Sequence, residues 1–252
     1  MKKILPASTV LGLLILAHQA GATPITIMDT YIGGTPTHSW ANTDSLGGAD
    51  FNVTKMTVDF TGGLMTVDIY AQQYFGKLLP YENTLLGDLF ISTNGIKPYP
   101  QGDSRLSTQA NGGGWEWVAA LDHHGEHNEH AGAVGLYQVN PNLIKESNLN
   151  GLDPNHWVYR AGQAWSYNTS GQTAALTGTW QRDNSMLSIA FNLPSSWRGD
   201  ELGFHWGMSC GNDVIEGQVP APPVPEPQTL LLMGTGLAGL ASLARRRGRS
   251  EG

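Results

Sequence analysis

The residues with the greatest capacity for chemistry lie in one short segment between two predicted strands. The segment reads Asp122-His123-His124-Gly125-Glu126-His127-Asn128-Glu129-His130. Neutral imidazoles combined with carboxylates are typical ligands of zinc, copper or nickel. We predict His123, His127 and His130 as metal ligands, because the first two are four residues apart and would share one side of a helical turn. The alternative is a solvated hairpin tip, which Gly125 and Asn128 favour because both suit turns.

A second set of candidate ligands consists of aspartates in loops rich in glycine or asparagine. Calcium prefers oxygen ligands, so carboxylates and backbone carbonyls in such loops can hold it. A structural calcium ion is the cofactor that this set would bind, and the alternative is that the aspartates only form turns. The candidates are Asp29, Asp44, Asp50 and Asp213.

Signatures of catalysis are scarce, and we expect no enzymatic activity. The chain has no Gly-x-Ser-x-Gly elbow, and nothing around Cys210 marks it as a nucleophile. A glycosidase needs two opposed carboxylates, which Glu116 with Glu82 or Glu201 could supply.

Aromatic residues offer another chemistry, because exposed rings can stack on sugars. The chain has eight tryptophans. Trp165, Tyr167 and Trp197 lie nearest to loops and are the best candidates for exposure, whereas most of the others are expected to fill the core.

The elements that must position these residues are predicted to be strands. Residues 51–60 alternate with period two, Gly62-Gly63 marks a turn, and Leu64–Ala71 returns as the second strand of a hairpin. Many short strands separated by glycine, asparagine and aspartate predict an all-β fold, an antiparallel β-sandwich. The further predicted strands are Leu85–Ser92, Trp115–Asp122, Ala133–Val139, His156–Tyr159, Gln172–Gln181, Met186–Phe191 and Leu202–Ser209.

Composition excludes several classes of protein. The 252 residues carry a formal net charge of -7, and residues 23–219 contain 8 basic against 19 acidic side chains. Nucleic-acid binders concentrate lysine and arginine to neutralise phosphates, so we expect no nucleic-acid partner. A single cysteine, Cys210, excludes a scaffold stabilised by disulfides within the chain.

The N-terminal end is predicted to be a secretory signal peptide, residues 1–22. Lys2-Lys3 precede an apolar run over Ile4–Ala17, and Ala20-Gly21-Ala22 has the small-x-small form that signal peptidase accepts. The β-sandwich domain then covers residues 23–217.

The C-terminal end is predicted to be a linker followed by a membrane segment. Residues 218–228 are rich in proline, which favours an extended and stiff chain. Residues 229–252 comprise the uncharged stretch Thr229–Ala244 and an arginine-rich tail. As a helix, sixteen residues would span about 24 Å, slightly less than a bilayer core of about 30 Å. Snorkelling arginines can make up the difference, and an ordinary single-pass anchor is the alternative.

The order of these features resembles the PEP-CTERM sorting signal of Gram-negative bacteria. The resemblance implies recognition by exosortase, a membrane protease that processes its substrates near the Pro-Glu-Pro tripeptide. Three short segments, Gly87–Thr93, Trp115–Trp117 and His205–Asp213, also look like parts of mature domains in PEP-CTERM proteins, which implies a jelly-roll or concanavalin-like sandwich. The residues that carry the sorting resemblance are Val224, Pro225, Glu226, Pro227, Arg245, Arg246 and Arg247.

The resemblance leads to a functional expectation. We expect an exported surface or extracellular-matrix protein, non-enzymatic and associated with exopolysaccharide and biofilm. Its partners would be signal peptidase and exosortase during export, the membrane through the C-terminal helix before processing, and extracellular polysaccharide. It would be anchored transiently in the inner membrane and then reach the cell surface or medium. The alternatives are a secreted carbohydrate-binding, lectin-like adhesin that depends on calcium and, third, a secreted glycosidase.

Overall fold

A computed structural model describes residues 23–30, 44–46, 48–77, 84–96, 115–125, 129–147, 162–197, 201–222 and 234–239. The predicted signal peptide, the predicted strand His156–Tyr159, and the sorting residues Val224–Pro227 and Arg245–Arg247 lie outside these ranges. Residues 234–239 are helical. Over the ranges given above, the chain contains no helix with the length and apolar character needed to cross a membrane.

The described chain is all-β, as predicted, and its main sheet is antiparallel throughout. Ten strands form one sheet in the order β1-β2-β3-β10-β9-β6-β5-β4-β11-β12, and β7 pairs with β8 in a separate two-stranded sheet. The strands are β1 (Ile25–Met28), β2 (Val53–Thr61), β3 (Leu64–Ala71), β4 (Leu89–Ser92), β5 (Trp117–Leu121), β6 (Ala131–Gln138), β7 (Ile144–Glu146), β8 (Ala164–Tyr167), β9 (Leu176–Arg182), β10 (Met186–Asn192), β11 (Glu201–Gly207) and β12 (Val214–Pro220), and one short helix, α1, spans Tyr74–Lys77.

The predicted hairpin is confirmed as β2 and β3. Gly62 and Gly63 both have positive φ, 66° and 86°, as a type I′ turn requires. The two glycines thereby set the register that pairs Val58 with Val67. A β-bulge between Val53 and Lys55 then reverses the alternation near the start of β2, so that Val53 is buried on the same side as Val58.

The ten strands form one curled sheet, whereas the predicted sandwich has two separate sheets. The curl brings the first and last strands into contact. Gly217 in β12 lies so close to Ile27 in β1 that a side chain at position 217 would clash with it. The main core lies inside the curl and includes Met56, Val67 and Phe204, all fully buried. Burial of this apolar surface is the dominant stabilisation that the fold receives.

A second, smaller core lies beneath the β7–β8 ribbon. It contains Phe90, Val118 and Tyr167 together with Trp115 and Ala164. Strands β4, β5 and β11 are therefore covered on both faces. This explains why all four residues of β4 are buried and the strand shows no alternation.

The alternating strand directions divide the functional groups between two ends of the sheet. We call the end that contains Asp29, Asp88, Asp122 and Asp213 the acidic pole, because these residues follow or precede strands there. The opposite end, the tail pole, contains Thr23 before β1, the Thr61–Leu64 hairpin tip and Pro220 at the end of β12. The assignment follows from the antiparallel pairing of every neighbour in the ten-stranded sheet.

Candidate functional site: the acidic pole

Three aspartates converge where the first and last strands of the sheet meet. Asp29 directly follows β1, Asp213 directly precedes β12, and Asp44 lies in the short segment 44–46. One carboxylate oxygen from each lies within 4.8 Å of the others. Asp213 is fully buried and the other two are half-buried. We call Asp29, Asp44 and Asp213 the aspartate cluster.

Hydrogen bonds from the backbone fix the position of Asp213. Its Oδ2 accepts the N–H of Val53 at 2.7 Å, and its Oδ1 accepts the N–H of Val214 at 2.9 Å. The carboxylate therefore bridges the starts of β2 and β12. Its side chain is held by the sheet itself and costs little further ordering when a ligand binds.

Two further backbone hydrogen bonds bring the other aspartates to the same place. The N–H of Leu46 donates to the carbonyl of Asn212 at 2.8 Å, which holds the segment of Asp44 against the residue before Asp213. The N–H of Asp29 donates to the carbonyl of Thr54 at 3.1 Å. The cluster is thus assembled from three chain segments that are distant in sequence.

The aspartate cluster is electrostatically costly when all of its carboxylates are ionised. Burial is the largest cause that raises the pKa of Asp213 to about 9. Asp29 and Asp44 act in the same direction, and the two N–H donors act against them. Near neutral pH the site therefore favours a species that brings positive charge, either a proton on Asp213 or a cation among the three carboxylates. Because every donor is an oxygen, the cluster suits a hard divalent ion such as Ca²⁺.

The sequence prediction of a loop aspartate set is met in part. Asp29, Asp44 and Asp213 come together. Asp50, the fourth predicted candidate, lies half-buried in a 3₁₀ turn and does not belong to the cluster.

The histidine-rich segment also lies at the acidic pole, between β5 and β6. His123 and His130 are exposed, and His127 lies outside the described residues. Asp122 accepts the indole N–H of Trp180 at 2.6 Å, which gives this carboxylate a structural partner. The metal set His123, His127 and His130 stays a prediction.

His124 differs from its neighbours because it is half-buried and held in a hydrogen-bonded network. Its Nδ1 lies 3.2 Å from the carbonyl of Leu86 and 3.4 Å from Oδ1 of Asp88. Both are acceptors, so Nδ1 carries the hydrogen. Nε2 then accepts the hydroxyl of Ser166, whose Oγ lies 3.4 Å away. His124 also has a left-handed backbone, with φ at 49°, a conformation that occurs mostly where surrounding contacts enforce it.

Asp88 ties this network to the sheet. It is fully buried, and its two oxygens accept the N–H groups of Leu121 at 2.8 Å and Tyr167 at 2.7 Å. Burial raises the pKa of Asp88 to about 6, against the opposing effects of His124 and the two N–H donors. The carboxylate joins the end of β5 to β8 and so attaches the two-stranded ribbon to the main sheet.

The hydrogen-bonded arrangement of Ser166, His124 and Asp88 resembles the catalytic triad of a hydrolase. Its serine, however, is not accessible to a substrate. A nucleophilic serine must reach the substrate carbonyl, whereas Ser166 is fully buried. Sequence reasoning missed this network, because its members are 36 and 42 residues apart and share no local motif.

The predicted glycosidase carboxylates have structural partners. Glu116 accepts the N–H of Thr93 at 2.8 Å and the amide of Asn94 at 3.2 Å. Glu201 accepts the amide of Gln218 at 2.8 Å. Glu82 lies outside the described residues.

The prediction of exposed aromatics is wrong for two of three residues. Tyr167 is 2% exposed and Trp197 is 3% exposed. Both pack in the cores, where the Trp197 ring lies 5.4 Å from that of Trp117. Trp165 alone of the three is half-buried, and its ring lies 5.6 Å from that of His124 at the acidic pole.

Comparison with known proteins locates one family signature. A family model described as the PEP-CTERM protein-sorting motif matches residues 223–247. The matched range contains the Pro-Glu-Pro tripeptide and the arginines from which the resemblance was inferred. No curated protein and no solved structure was found to match the chain.

Proposed function

We propose that this chain, whose residues 223–247 are a PEP-CTERM protein-sorting motif, is a non-enzymatic surface or extracellular-matrix protein that acts in exopolysaccharide or biofilm. The motif makes it an exported protein that exosortase sorts, with transient membrane anchoring before processing. The observation that carries the proposal is the order of the chain. A folded β-domain ends at Pro220, and the sorting motif begins three residues later.

Export and sorting proceed in three steps in this proposal. Signal peptidase removes residues 1–22, which leaves Thr23 at the N-terminus just before β1. The apolar stretch Thr229–Ala244 then holds the C-terminal end in the inner membrane. Exosortase acts near Pro225-Glu226-Pro227 and releases the β-domain to the cell surface or medium.

Three findings support a non-enzymatic role for the β-domain. Ser166, whose hydroxyl lies 3.4 Å from His124 Nε2, is fully buried. Asp88 already accepts two backbone N–H groups. The carboxylates of Glu116 and Glu201 are engaged in hydrogen bonds that hold neighbouring loops and strands.

A structural calcium ion is proposed for the aspartate cluster. Asp29, Asp44 and Asp213 would hold it and would connect the end of β1 to the starts of β2 and β12. A bound divalent cation offsets the repulsion among the three carboxylates. Extracellular calcium modules bind with dissociation constants of about 10⁻⁴–10⁻³ M, which suits a protein that works outside the cell.

Carbohydrate binding by the β-domain is the second candidate function, and Trp165 favours it. This half-buried indole lies beside His124 at the acidic pole, where a sugar ring could stack on it. A glycan array probed with calcium and with chelator separates a lectin-like adhesin from a matrix protein without sugar specificity. Release of reducing-end sugars from bacterial exopolysaccharide would instead indicate the third candidate, a glycosidase.

The sorting proposal is tested by mass spectrometry of the protein exported from a bacterium that has an exosortase. We expect the exported protein to lack the peptide Arg245–Arg249. A chain with Pro225→Ala and Glu226→Ala should retain it and stay with the membrane fraction, whereas Gln228→Ala, a neighbouring change outside the tripeptide, should be processed normally. Retention of the arginine peptide in the exported unaltered protein would show an ordinary anchor.

A further inference from the structure

The two ends of the β-domain leave the sheet on the same side. Strand β1 starts beside the end of β2, since Ile25 pairs with Val58, and β12 ends beside the start of β11, since Pro220 pairs with Glu201. Because ten strands alternate in direction across the sheet, the start of the first and the end of the last lie at one pole. Both Thr23 and Pro222 therefore emerge at the tail pole.

The connection between the tail pole and the proposed membrane segment is short. Seven residue steps separate Pro222 from Thr229, the first residue of the apolar stretch. A fully extended chain spans at most about 3.6 Å per residue, so these steps reach about 25 Å at most.

The distance between the two poles of the sheet is about equal to the maximum length of this connection. Strand β3 runs from the hairpin tip at the tail pole to the acidic pole over the eight residues Leu64–Ala71, a rise of about 24 Å at 3.4 Å per residue. If the acidic pole faced the membrane, the whole connection would be stretched along the side of the sheet. No chain would then remain to reach the bilayer.

From this geometry we propose that the tail pole faces the membrane while the sorting segment is attached, and that the acidic pole points away from it. The partner of the tail pole is the lipid surface into which Thr229–Ala244 inserts, so the inference rests on the proposed function. The signal peptide would be attached at the same pole, because Thr23 also lies there.

The orientation has a consequence for the aspartate cluster and the histidine-rich segment. Both lie at the acidic pole, about one strand length from the bilayer. They therefore face away from the bilayer before the tail is processed.

The experiment measures the distance of two labels from the bilayer. The precursor Thr23–Gly252, which lacks the signal peptide and keeps the sorting segment, is given a Cys210→Ala background and reconstituted in vesicles that carry an acceptor dye on the lipid headgroups. A fluorescent donor is attached at Thr61→Cys, at the tail pole, or at Asn184→Cys, at the tip of the β9–β10 hairpin on the acidic pole. Both positions are exposed, and they lie at opposite ends of the neighbouring strands β3 and β10.

We expect the donor at position 184 to lie about 20 Å farther from the headgroups than the donor at position 61. Equal distances would show that the domain lies on its side, and a reversed order would place the acidic pole on the membrane; either result overturns the proposed orientation alone. As a matched control, Leu231→Arg with Leu232→Arg should abolish energy transfer from both labels. If the unaltered chain also fails to float with the vesicles, the proposed membrane insertion is wrong and the orientation falls with it.

Discussion

The aspartate cluster predicts a specific dependence of stability on pH and calcium. The pKa of Asp213 is raised to about 9 in the folded protein, against about 3.9 in an unfolded chain. The folded state therefore holds a proton that the unfolded state has lost. The stabilisation from this proton is complete below about pH 4 and is lost as pH rises towards 9.

The magnitude of the pH effect on the free energy of unfolding follows from the binding of one proton. While the folded state binds one proton more than the unfolded state, the free energy of unfolding falls by about 1.4 kcal/mol per pH unit. Asp88 contributes with the same sign, because its pKa is also raised, but only up to about pH 6. The interval from pH 6.5 to 8.5 therefore isolates Asp213, and over it we expect a loss of about 2.7 kcal/mol in the presence of chelator.

Calcium should abolish the decrease of the free energy of unfolding with pH, because a divalent cation replaces the proton as the source of positive charge in the cluster. Free calcium at one hundred times its dissociation constant would add about 2.7 kcal/mol to the free energy of unfolding. The assay is urea denaturation of the exported protein, followed by tryptophan fluorescence at several pH values, with calcium or with chelator.

Two variants make the assay specific. Asp213→Asn removes the titrating group, so its stability should not change over this interval and should not respond to calcium. The amide keeps only one accepting oxygen for the N–H groups of Val53 and Val214, which costs about 1–3 kcal/mol at all pH values. Asp50 lies outside the cluster, so the Asp50→Asn variant should show the same pH dependence of the free energy of unfolding as the unaltered protein. A flat profile of the unaltered protein in chelator, or a slope that persists in Asp213→Asn, would refute the reasoning.

Three other substitutions test separate parts of the structure. Asp88→Asn leaves one of the N–H groups of Leu121 and Tyr167 without an acceptor, so we expect denaturation to show a loss of about 1–3 kcal/mol at pH 7; unchanged stability would contradict the role given to Asp88. Gly63→Ala places a side chain at φ 86°, and the strain should lower the free energy of unfolding by about 1 kcal/mol or more. Ser166→Ala should leave any hydrolysis of p-nitrophenyl acetate unchanged, because a buried hydroxyl cannot attack an ester; loss of activity in this variant would establish an enzyme.

The sequence predicted the fold best where local rules are sufficient. The β2–β3 hairpin follows from strict alternation on either side of Gly62-Gly63, and the structure confirms it. The bulge at Val53 could not be predicted from alternation alone. At the bulge the N–H of Val53 donates to Asp213, a partner 160 residues away that local alternation cannot reveal.

The strands at the edges of the main sheet and the strands of the β7–β8 ribbon were missed for a different reason. β1 has four residues and β7 has three, too few for alternation to be distinguished from chance. β12 continues to Pro220, beyond residue 217 where the proline-rich linker was predicted to follow. A proline is tolerated there because β12 is the last strand of the sheet and its outer edge needs no N–H donor.

The candidate site shows the same division between local and distant information. The sequence identified loop aspartates as candidate ligands by residue type. Only the curl of the sheet, which no local pattern reveals, brings Asp29, Asp44 and Asp213 together and keeps Asp50 outside the cluster. In the histidine-rich segment, residue type and spacing selected His123 as a candidate metal ligand and did not select His124. The structure separates them, because His123 is exposed while His124 contacts Asp88, Leu86 and Ser166.

The separation of the two poles implies that processing leaves the candidate cation site intact. Every member of the aspartate cluster precedes β12, and the sorting motif begins after β12 has ended. β12 is held by seven pairs with β11, from Glu201–Pro220 to Gly207–Val214, so removal of the chain near Pro225 takes no strand from the sheet. The carboxylates of the cluster also lie about one strand length from the cut. Cation binding measured on the released protein should therefore equal that of the membrane-attached precursor, and a difference in affinity between the two forms would show that the tail contacts the acidic pole.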